Sequence, residues 1–417
     1  MLSAGKSLEA SRPNALNGLR PHASMLSGAS MELQRIVDLS VAMGDAPFLV
    51  AMVCDNDGVR FSGAFGDAAP GRLADETTVF RIFSMSKPYC AVAIMMLIER
   101  GLLDPETPVA DIVPQFSQIG VLHGYQDGKA ILLPPQKRAT VRHLATHTSG
   151  LEYEFWNPDV ADFIEKTGHP SIINGTLQSM CYPMMSEPGT RWGYGPSIDW
   201  LGLVVEAIDG RRIDKFCTEE IFEPLGLRNT YFEVDEVVRT QLCAVSARLE
   251  NGLFSEIAMD PPSHPEVYGM GIALYSTAPD YLRFLRLFLN GGELDGHRIL
   301  SSASIDAMFA DQMDGLSFSR MVSCAPVTAD VDPFPGIRHT HTFGFLRNED
   351  DIPGMRFAGS VGWAGVLNSH YWIDRTSNVA AVFMSQSLPF CEPGFMKRYE
   401  QFERCVYRQL RPDKRTS

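Results

Sequence analysis

Ser84 and Lys87 stand three residues apart at the start of the most apolar stretch of the chain, FRIFSMSKPYCAVAIMMLIERG at 80–101. Positions i and i+3 share one face of a helix, so the serine hydroxyl and the lysine amine can meet. Burial and the positive end of the helix dipole both favour an uncharged amine, which can accept the proton of a serine nucleophile. The pair predicts nucleophilic catalysis by Ser84. The alternative is a structural lysine that extends its amine to solvent.

The context of the pair separates it from a chance match. A second Ser-x-x-Lys occurs at Ser3 and Lys6, but only Ser84 follows a predicted strand, TTVFRIF at 77–83, and opens a long apolar helix. No Gly-x-Ser-x-Gly occurs, which excludes the nucleophile elbow of α/β-hydrolases. The context therefore favours Ser84, and Ser3 is assigned no role.

The elements that must position this pair change in type along the chain. PFLVAMVC, DNDG and VRFSGAFG at 47–66 predict a strand, a turn and a second strand. Helical patterns punctuated by Pro and Gly fill 101–325. Strand patterns return at 354–387, before an amphipathic helix at 394–410. Strands therefore lie at both ends of the chain, with helices between them.

This order predicts a mixed α/β fold in which the two ends share one sheet. We expect 31–100 and 326–417 to form a discontinuous α/β domain and 101–325 to form a mostly helical inserted subdomain, with a ligand cleft between them. Residues 1–30 are rich in small and polar residues and lack the apolar run of a secretory signal, so we expect a flexible lead there, or a stretch upstream of a true start at Met25 or Met31.

Composition excludes several classes of function. A net charge of −14 without a basic cluster argues against nucleic-acid binding. No window approaches a membrane span, and the eight cysteines include no Cys-x-x-Cys, so we expect reduced thiols in a cytoplasmic protein. His339 and His341 lie in a Pro-flanked segment and are interpreted as loop residues, not metal ligands.

Five segments resemble, in this order, the serine β-lactamase/penicillin-binding-protein superfamily. They are FRIFSMSKP, RHLATHTSGL, PGTRWGYGPSIDWLG, PLGLRNTYF and YSTAPDYLRFLRLFLNGGELDG. The resemblance covers almost the whole chain, 31–410, and is greatest to the class C-like branch: family VIII carboxylesterases and the related statin side-chain acyltransferases of fungi. It implies a β-lactamase/transpeptidase-like fold, with an antiparallel sheet flanked by helices and an all-helical inserted subdomain.

The resemblance also implies the catalytic group. Its Ser-x-x-Lys motif falls on Ser84 and Lys87, and its tyrosine before a helix of the insertion falls on Tyr194. Tyr194 would take the serine proton, alone or shared with Lys87, and return it to the leaving group. The oxyanion hole would consist of the backbone N–H groups of Ser84 and Val366.

The third motif of the family, Lys- or His-Thr-Gly, has two candidates. The literal Lys166-Thr167-Gly168 precedes Tyr194 and ends a helical pattern with glycine, so it is rejected. The better match is Trp363-Ala364-Gly365 in SVGWAGVLNSHYWID. Trp363 then replaces the cation that would pair with the carboxylate of a β-lactam.

A second departure points the same way, since no tyrosine here begins the Tyr-x-Asn motif of β-lactamases. Both losses indicate an uncharged acyl substrate bound against aromatic surface. Trp363, Ala364, Gly365, Tyr153, Phe155 and Trp156 are the candidate substrate-binding residues, with core packing as the alternative for the aromatic ones. Structural roles are assigned to His143, His147 and Ser149, and Trp192 and Asp199 are expected to hold Tyr194 in place.

These features predict a serine carboxylesterase that hydrolyses esters of small or medium acyl groups through an acyl-Ser84 intermediate. The first alternative is an acyltransferase that passes the same acyl group to an alcohol or amine. Weak β-lactamase or D-amino-acid peptidase activity and a non-catalytic binding protein rank below it. No metal or cofactor is expected. The predicted partner is a small-molecule ester, with no nucleic acid or membrane, and the sequence indicates no oligomeric state.

Overall fold

The computed structural model describes residues 28–410, which form twelve α-helices and seventeen strands within that range. The helices are α1 Gly28–Ala42, α2 Lys87–Glu99, α3 Val109–Ile112, α4 Val141–Ala145, α5 Pro158–Thr167, α6 Ser197–Asp209, α7 Ile213–Cys217, α8 Glu223–Leu225, α9 Glu236–Arg239, α10 Ala278–Leu289, α11 Ser302–Phe309 and α12 Pro393–Leu410. The strands are β1 Phe48–Cys54, β2 Val59–Ala69, β3 Arg72–Leu73, β4 Val79–Arg81, β5 Val121–Gln126, β6 Lys129–Leu133, β7 Val245–Arg248, β8 Phe254–Ile257, β9 Tyr275–Thr277, β10 Glu293–Leu294, β11 His297–Arg298, β12 His339–His341, β13 Leu346–Asn348, β14 Val361–Gly365, β15 Ser369–Asp374, β16 Val379–Met384 and β17 Ser387–Leu388.

An eight-stranded antiparallel sheet joins the two ends of the described chain. Its order is β12-β13-β14-β15-β16-β1-β2-β3, so β1 from the N-terminal part pairs with β16 from the C-terminal part. In the register, Val50 lies opposite Met384 on one side and Ala64 on the other. The sheet shared by the two ends is thus present, and the mixed α/β fold is confirmed.

Helices cover both faces of this sheet, which explains why the central strands are apolar along their whole length. On one face α1 and α12 bury a cluster that includes Val37, Phe383 and Phe402. On the other face α10 packs on β1 and β16, and its Tyr281 contacts Tyr371 of β15, with ring centroids 5.3 Å apart. A strand buried on both sides has no polar face, so β1 reads FLVAMVC without alternation.

The predicted apolar helix is α2, and it lies at the centre of the molecule. Its Tyr89 stacks on Phe284 of α10 at a centroid distance of 3.9 Å. On its other side the Cys90 thiol contacts the Ile198 carbonyl of α6. Because α2 has neighbours on all sides, it is apolar all round and buried from Lys87 to Leu97.

The middle of the chain contains short strands as well as helices. The pairs β5–β6, β7–β8 and β10–β11 lie within 101–325, and β9 from this range pairs with β4 beside the Ser84 turn. Helix α10, also in this range, packs on the large sheet. The domain boundaries stay a prediction. Helix α1 begins at Gly28, inside the expected lead, and residues 1–27 of that lead lie outside the described residues.

Several local predictions can be compared with the structure. The strands at 48–54 and 59–69 match the predicted pair. Gly168 follows α5 with a φ of +66°, so Lys166-Thr167-Gly168 is the end of a helix, as predicted, and not the third motif of the family. The loop interpretation of His339 and His341 is wrong, because both lie in β12 at the edge of the sheet. All eight cysteines are free thiols. Between residues 28 and 410, no helix combines the length and apolar character needed to cross a bilayer.

Candidate active site

Ser84 lies in the 3₁₀ turn Phe83–Ser86, between β4 and Lys87, the first residue of α2. Lys87 Nζ donates a hydrogen bond to Ser84 Oγ over 3.0 Å. Phe83 has a φ of +43°, a conformation that bulky residues rarely adopt and that costs roughly 1–3 kcal/mol. Buried packing around this turn maintains the bend, and the bend orients the serine toward the lysine.

Both side chains are almost inaccessible to solvent. Ser84 is 9% exposed and Lys87 is 2% exposed. The Lys87 amine also donates to the Gly271 carbonyl oxygen over 3.4 Å, so it points into the protein. The alternative interpretation, a lysine that extends its amine into water, is therefore excluded.

Tyr194 comes from the turn before α6. Its hydroxyl donates a hydrogen bond to Ser84 Oγ over 2.7 Å, and Lys87 Nζ lies 4.9 Å from the centroid of its ring. A Cβ at Gly195 would lie 2.2 Å from the Leu151 carbonyl oxygen, so only glycine allows this turn to approach so closely. The structure thus brings the three predicted catalytic residues together around one oxygen atom.

Trp363 reaches the same site from β14. Its Nε1–H donates to the Tyr194 hydroxyl oxygen over 2.9 Å, and the two ring centroids are 4.9 Å apart. Gly365 ends β14, where a Cβ would lie 2.4 Å from the Ile82 carbonyl oxygen. This close contact places the end of β14 directly against the chain that leads into Ser84.

The two amides predicted for the oxyanion hole come from these adjacent segments. Val366 follows β14, and both Val366 and Leu367 pack in one cluster with Phe83, the residue before Ser84. Ala364 is buried, and strand alternation directs its side chain away from the face of β14 that carries Trp363. The backbone of Ala364 is therefore the part that could contact a substrate.

Of the three aromatic residues predicted from GLEYEFWNP, Tyr153 and Trp156 contact Tyr194, and Phe155 packs against those two. The ring centroids of Tyr153 and Trp156 lie 5.3 Å and 5.7 Å from that of Tyr194, and Phe155 lies 5.8 Å from Trp156. The indole of Trp156 donates to the Ala329 carbonyl oxygen over 3.4 Å. Tyr153 is buried, whereas Phe155 and Trp156 are half-buried at the edge of the group. Their contact with a substrate stays a prediction.

Two histidines that the sequence did not assign to the site lie near Tyr194: His147 contacts its ring, and His341 contacts His147. The His147 ring centroid is 4.9 Å from that of Tyr194 and 5.0 Å from that of His341. Burial holds the pKa of His147 well below its ordinary value and lowers the pKa of His341 to about 4. Both rings are therefore uncharged near neutral pH. No sequence signal pairs two residues so far apart in the chain.

The residues expected to hold Tyr194 divide into two kinds. Trp192 stacks on it, with ring planes 16° apart and centroids 6.3 Å apart. Asp199 instead accepts hydrogen bonds from the Gly271 N–H over 2.9 Å and from the Tyr153 hydroxyl over 3.4 Å. Gly271 thus connects Asp199 to Lys87, because it binds both residues. Tyr153, which binds Asp199 and packs against Tyr194, connects Asp199 to Tyr194.

This arrangement can perform acyl transfer through a serine. A hydroxyl within hydrogen-bond distance of an amine and a phenol has two groups available to accept and return its proton. Residues 28–410 contain no group of His, Cys, Asp and Glu side chains arranged to bind a metal ion.

Comparisons with known proteins agree with the fold. The chain is 28% identical over 352 residues to the acyltransferase calJ of Penicillium decumbens, covering 81% of this chain and 82% of that protein. It is 27% identical over 359 residues to the lovastatin esterase of Penicillium rubens, covering 82% and 88%. Unliganded simvastatin synthase LovD from Aspergillus terreus, as its selenomethionyl derivative, superposes with a TM-score of 0.78 at 21% identity, covering 92% of this chain and 99% of that one.

A family profile decides the assignment, because it spans nearly all of the described residues. The profile described as Beta-lactamase matches residues 33–404, from α1 to α12. The match includes both segments of the large sheet, the Ser84 turn and the Tyr194 turn. The chain belongs to the β-lactamase family.

Proposed function

We propose that this protein is a serine carboxylesterase in which Ser84 carries the acyl group. The observation that supports this most directly is the convergence of Lys87 Nζ and Tyr194 Oη on Ser84 Oγ, at 3.0 Å and 2.7 Å. Sequence relatives named as an esterase and as an acyltransferase support the same acyl chemistry.

In the acylation step, Ser84 Oγ attacks the ester carbonyl carbon and its proton passes to the pair formed by Tyr194 and Lys87. The carbonyl oxygen becomes an oxyanion, which the backbone N–H groups of Ser84 and Val366 stabilise. The bond to the alcohol oxygen then breaks, and the pair returns the proton so that the alcohol leaves neutral. The product of this step is an ester on Ser84. In the second half of the reaction water attacks the carbonyl carbon of this ester and gives its proton to the same pair. The bond to Ser84 Oγ then breaks, the pair returns the proton to that oxygen, and the acid leaves.

Substrate choice follows from the group that replaces the usual cation of this family. Trp363 presents an indole N–H that already donates to Tyr194, and it carries no charge. An uncharged acyl group loses no ion pair in such a site, whereas a substrate carboxylate would lose its partner. Phe155 and Trp156 at the half-buried edge supply apolar area for the acyl chain.

The second candidate function is acyl transfer from the same acyl-Ser84 to an alcohol or amine. The observation in its favour is the low exposure of Ser84 and Lys87, because a buried acyl-enzyme meets water less often and leaves more time for an acceptor. The relative named acyltransferase calJ supports the same possibility.

A series of p-nitrophenyl esters of increasing acyl length, assayed with and without an alcohol, tests the function. We expect turnover of small and medium acyl groups and no turnover of nitrocefin, a chromogenic β-lactam. A new ester formed when the alcohol is present would measure transfer, and free acid alone would measure hydrolysis. Failure to turn over any ester would contradict the proposal.

Two serine variants provide the matched comparison. Ser84→Ala should lower kcat/KM by at least about a thousandfold, because only binding and the oxyanion hole remain. Ser3→Ala removes the serine of the other Ser-x-x-Lys and should leave the rate unchanged. A Ser84→Ala protein that keeps its activity would show that Ser84 is not the nucleophile.

A further inference from the structure

Asp199 is a buried carboxylate next to the catalytic group, and the proposed reaction assigns it no role. It is the third residue of α6 and is 0% exposed. One of its oxygens accepts the Gly271 N–H over 2.9 Å, and the other accepts the Tyr153 hydroxyl over 3.4 Å. An ionised carboxylate only accepts hydrogen bonds, and the start of a helix favours negative charge. These hydrogen bonds and the helix start favour the ionised form of Asp199, whereas burial, the largest effect, holds its pKa above the ordinary value.

Gly271 brings this carboxylate close to Lys87. The N–H of Gly271 binds Asp199, while its carbonyl oxygen accepts from Lys87 Nζ over 3.4 Å. A Cβ at position 271 would lie 2.7 Å from Asp199 Oδ2 and 3.0 Å from Lys87 Nζ. A Cβ at Gly269 would lie 2.5 Å from Asp199 Oδ1. Both glycines are thus needed to admit the carboxylate beside the lysine.

The charges of the two groups are complementary. Lys87 is the first residue of α2, where the helix dipole disfavours a cation, and burial removes the water that would solvate it. Burial raises the pKa of Asp199, whereas the positive charge of Lys87 lowers it. Each group therefore reduces the cost of burying the other charge. The other titratable groups that face the two are Cys90, Tyr153, Tyr194, His147 and His341.

We propose that Asp199 is the buried counterion of Lys87 and sets, with Gly271 between them, the pH range in which Lys87 exchanges the proton of Ser84. Asp199 is a positioning residue, because it contacts Gly271 and Tyr153 and acts on the reaction through Lys87. The proposal rests on the function proposed above. It adds a determinant of the pH dependence of that reaction.

The test is the pH profile of kcat/KM for Asp199→Asn with a p-nitrophenyl ester. The amide keeps the size of the side chain but removes its negative charge, so the cationic form of Lys87 loses a stabilising neighbour. We expect the acidic limb of the profile, where activity rises as the Lys87 amine becomes uncharged, to move to lower pH by about one unit or more. Limbs that coincide with those of the parent, in a protein that a fluorophosphonate still labels at Ser84, would overturn the proposal.

Asp280 provides a matched control. It is also a buried aspartate at the third position of a helix, α10, and it accepts the Asn229 N–H over 2.6 Å. Asp280→Asn should lower thermal stability but leave both limbs in place, because Asp280 lies outside the catalytic group. Limbs that shift equally in both variants would assign the effect to a general loss of stability and overturn the proposal.

If Asp199→Asn does not fold, a second variant, Tyr153→Phe, tests the proposal. Tyr153→Phe keeps the ring and removes only the hydroxyl that donates to Asp199. The less stabilised carboxylate then holds its proton more often, so the same limb should move in the same direction by a smaller amount. An unmoved limb in Tyr153→Phe would in that case overturn the proposal. These outcomes are distinct from failure of the proposed function, which would show as an active Ser84→Ala protein.

Discussion

At the scale of the residue, Trp363 is the group that we propose distinguishes this site from one that binds a carboxylate. Its indole donates a hydrogen bond to Tyr194 over 2.9 Å. When the Ser84 proton leaves, negative charge develops on the phenol oxygen if Tyr194 is the first acceptor, and an N–H directed at that oxygen stabilises it. In the proposed reaction Trp363 thus has two consequences: it removes a binding site for an anion, and it supports the proton acceptor.

Trp363→Phe should lower kcat/KM about tenfold, because one hydrogen bond to the reacting phenol is worth roughly 1–1.5 kcal/mol. Trp192→Phe is the matched control. Trp192 also stacks on Tyr194, but its Nε1 has no hydrogen-bond partner among the described residues. We expect this second variant to stay near the parent rate. Equal losses in the two variants would show that stacking, and not the hydrogen bond, determines the effect.

At the scale of the element, the contact between α12 and the sheet contains a histidine that makes stability depend on pH. His370 of β15 lies among Phe390, Phe395 and Tyr399, with ring centroids 5.8, 5.4 and 4.8 Å away. Burial, followed by the charge of Arg356, lowers its pKa to about 3. The unfolded chain protonates this histidine near its ordinary pKa, so acid favours unfolding.

His370→Phe should reduce the loss of stability between about pH 7.5 and about pH 5, by up to about 2 kcal/mol at the lower pH. At the higher pH His370 is neutral in both the folded and the unfolded chain. The gain in stability of the variant therefore appears only as the pH falls below the pKa of this histidine in the unfolded chain. Thermal denaturation at the two pH values measures the difference. Replacement of the exposed His297 is the control and should leave the difference unchanged. A His370→Phe protein as sensitive to acid as the parent would contradict the assignment.

At the scale of the whole molecule, the sequence predicts the parts of the fold that long periodic segments encode. The paired strands near residue 50, the apolar helix after Ser84 and the C-terminal amphipathic helix all have patterns that fix their type. The short strands between 101 and 325 span two to six residues each, too few to show a clear alternation of apolar and polar residues. The position of α10 against the sheet depends on contacts of one helix face with β1, β15 and β16, which come from distant segments of the chain.

The same distinction applies to the site. Ser84 and Lys87 follow from the spacing of their motif and its context, Tyr194 follows from the resemblance to the family, and the structure brings the three together. The contact of His147 with His341 and the link from Asp199 to Lys87 through Gly271 join segments far apart in the chain. Local patterns carry no record of such contacts, so only the folded structure reveals them.

The acyl-Ser84 intermediate can be detected from the mass of the intact protein during turnover of a p-nitrophenyl ester. The reaction is stopped with acid in the steady state, and the labelled peptide is then identified. We predict a single acyl group on the peptide that contains Ser84, present in the parent and absent from Ser84→Ala. Turnover without any adduct, or with the acyl group on another residue, would contradict the account.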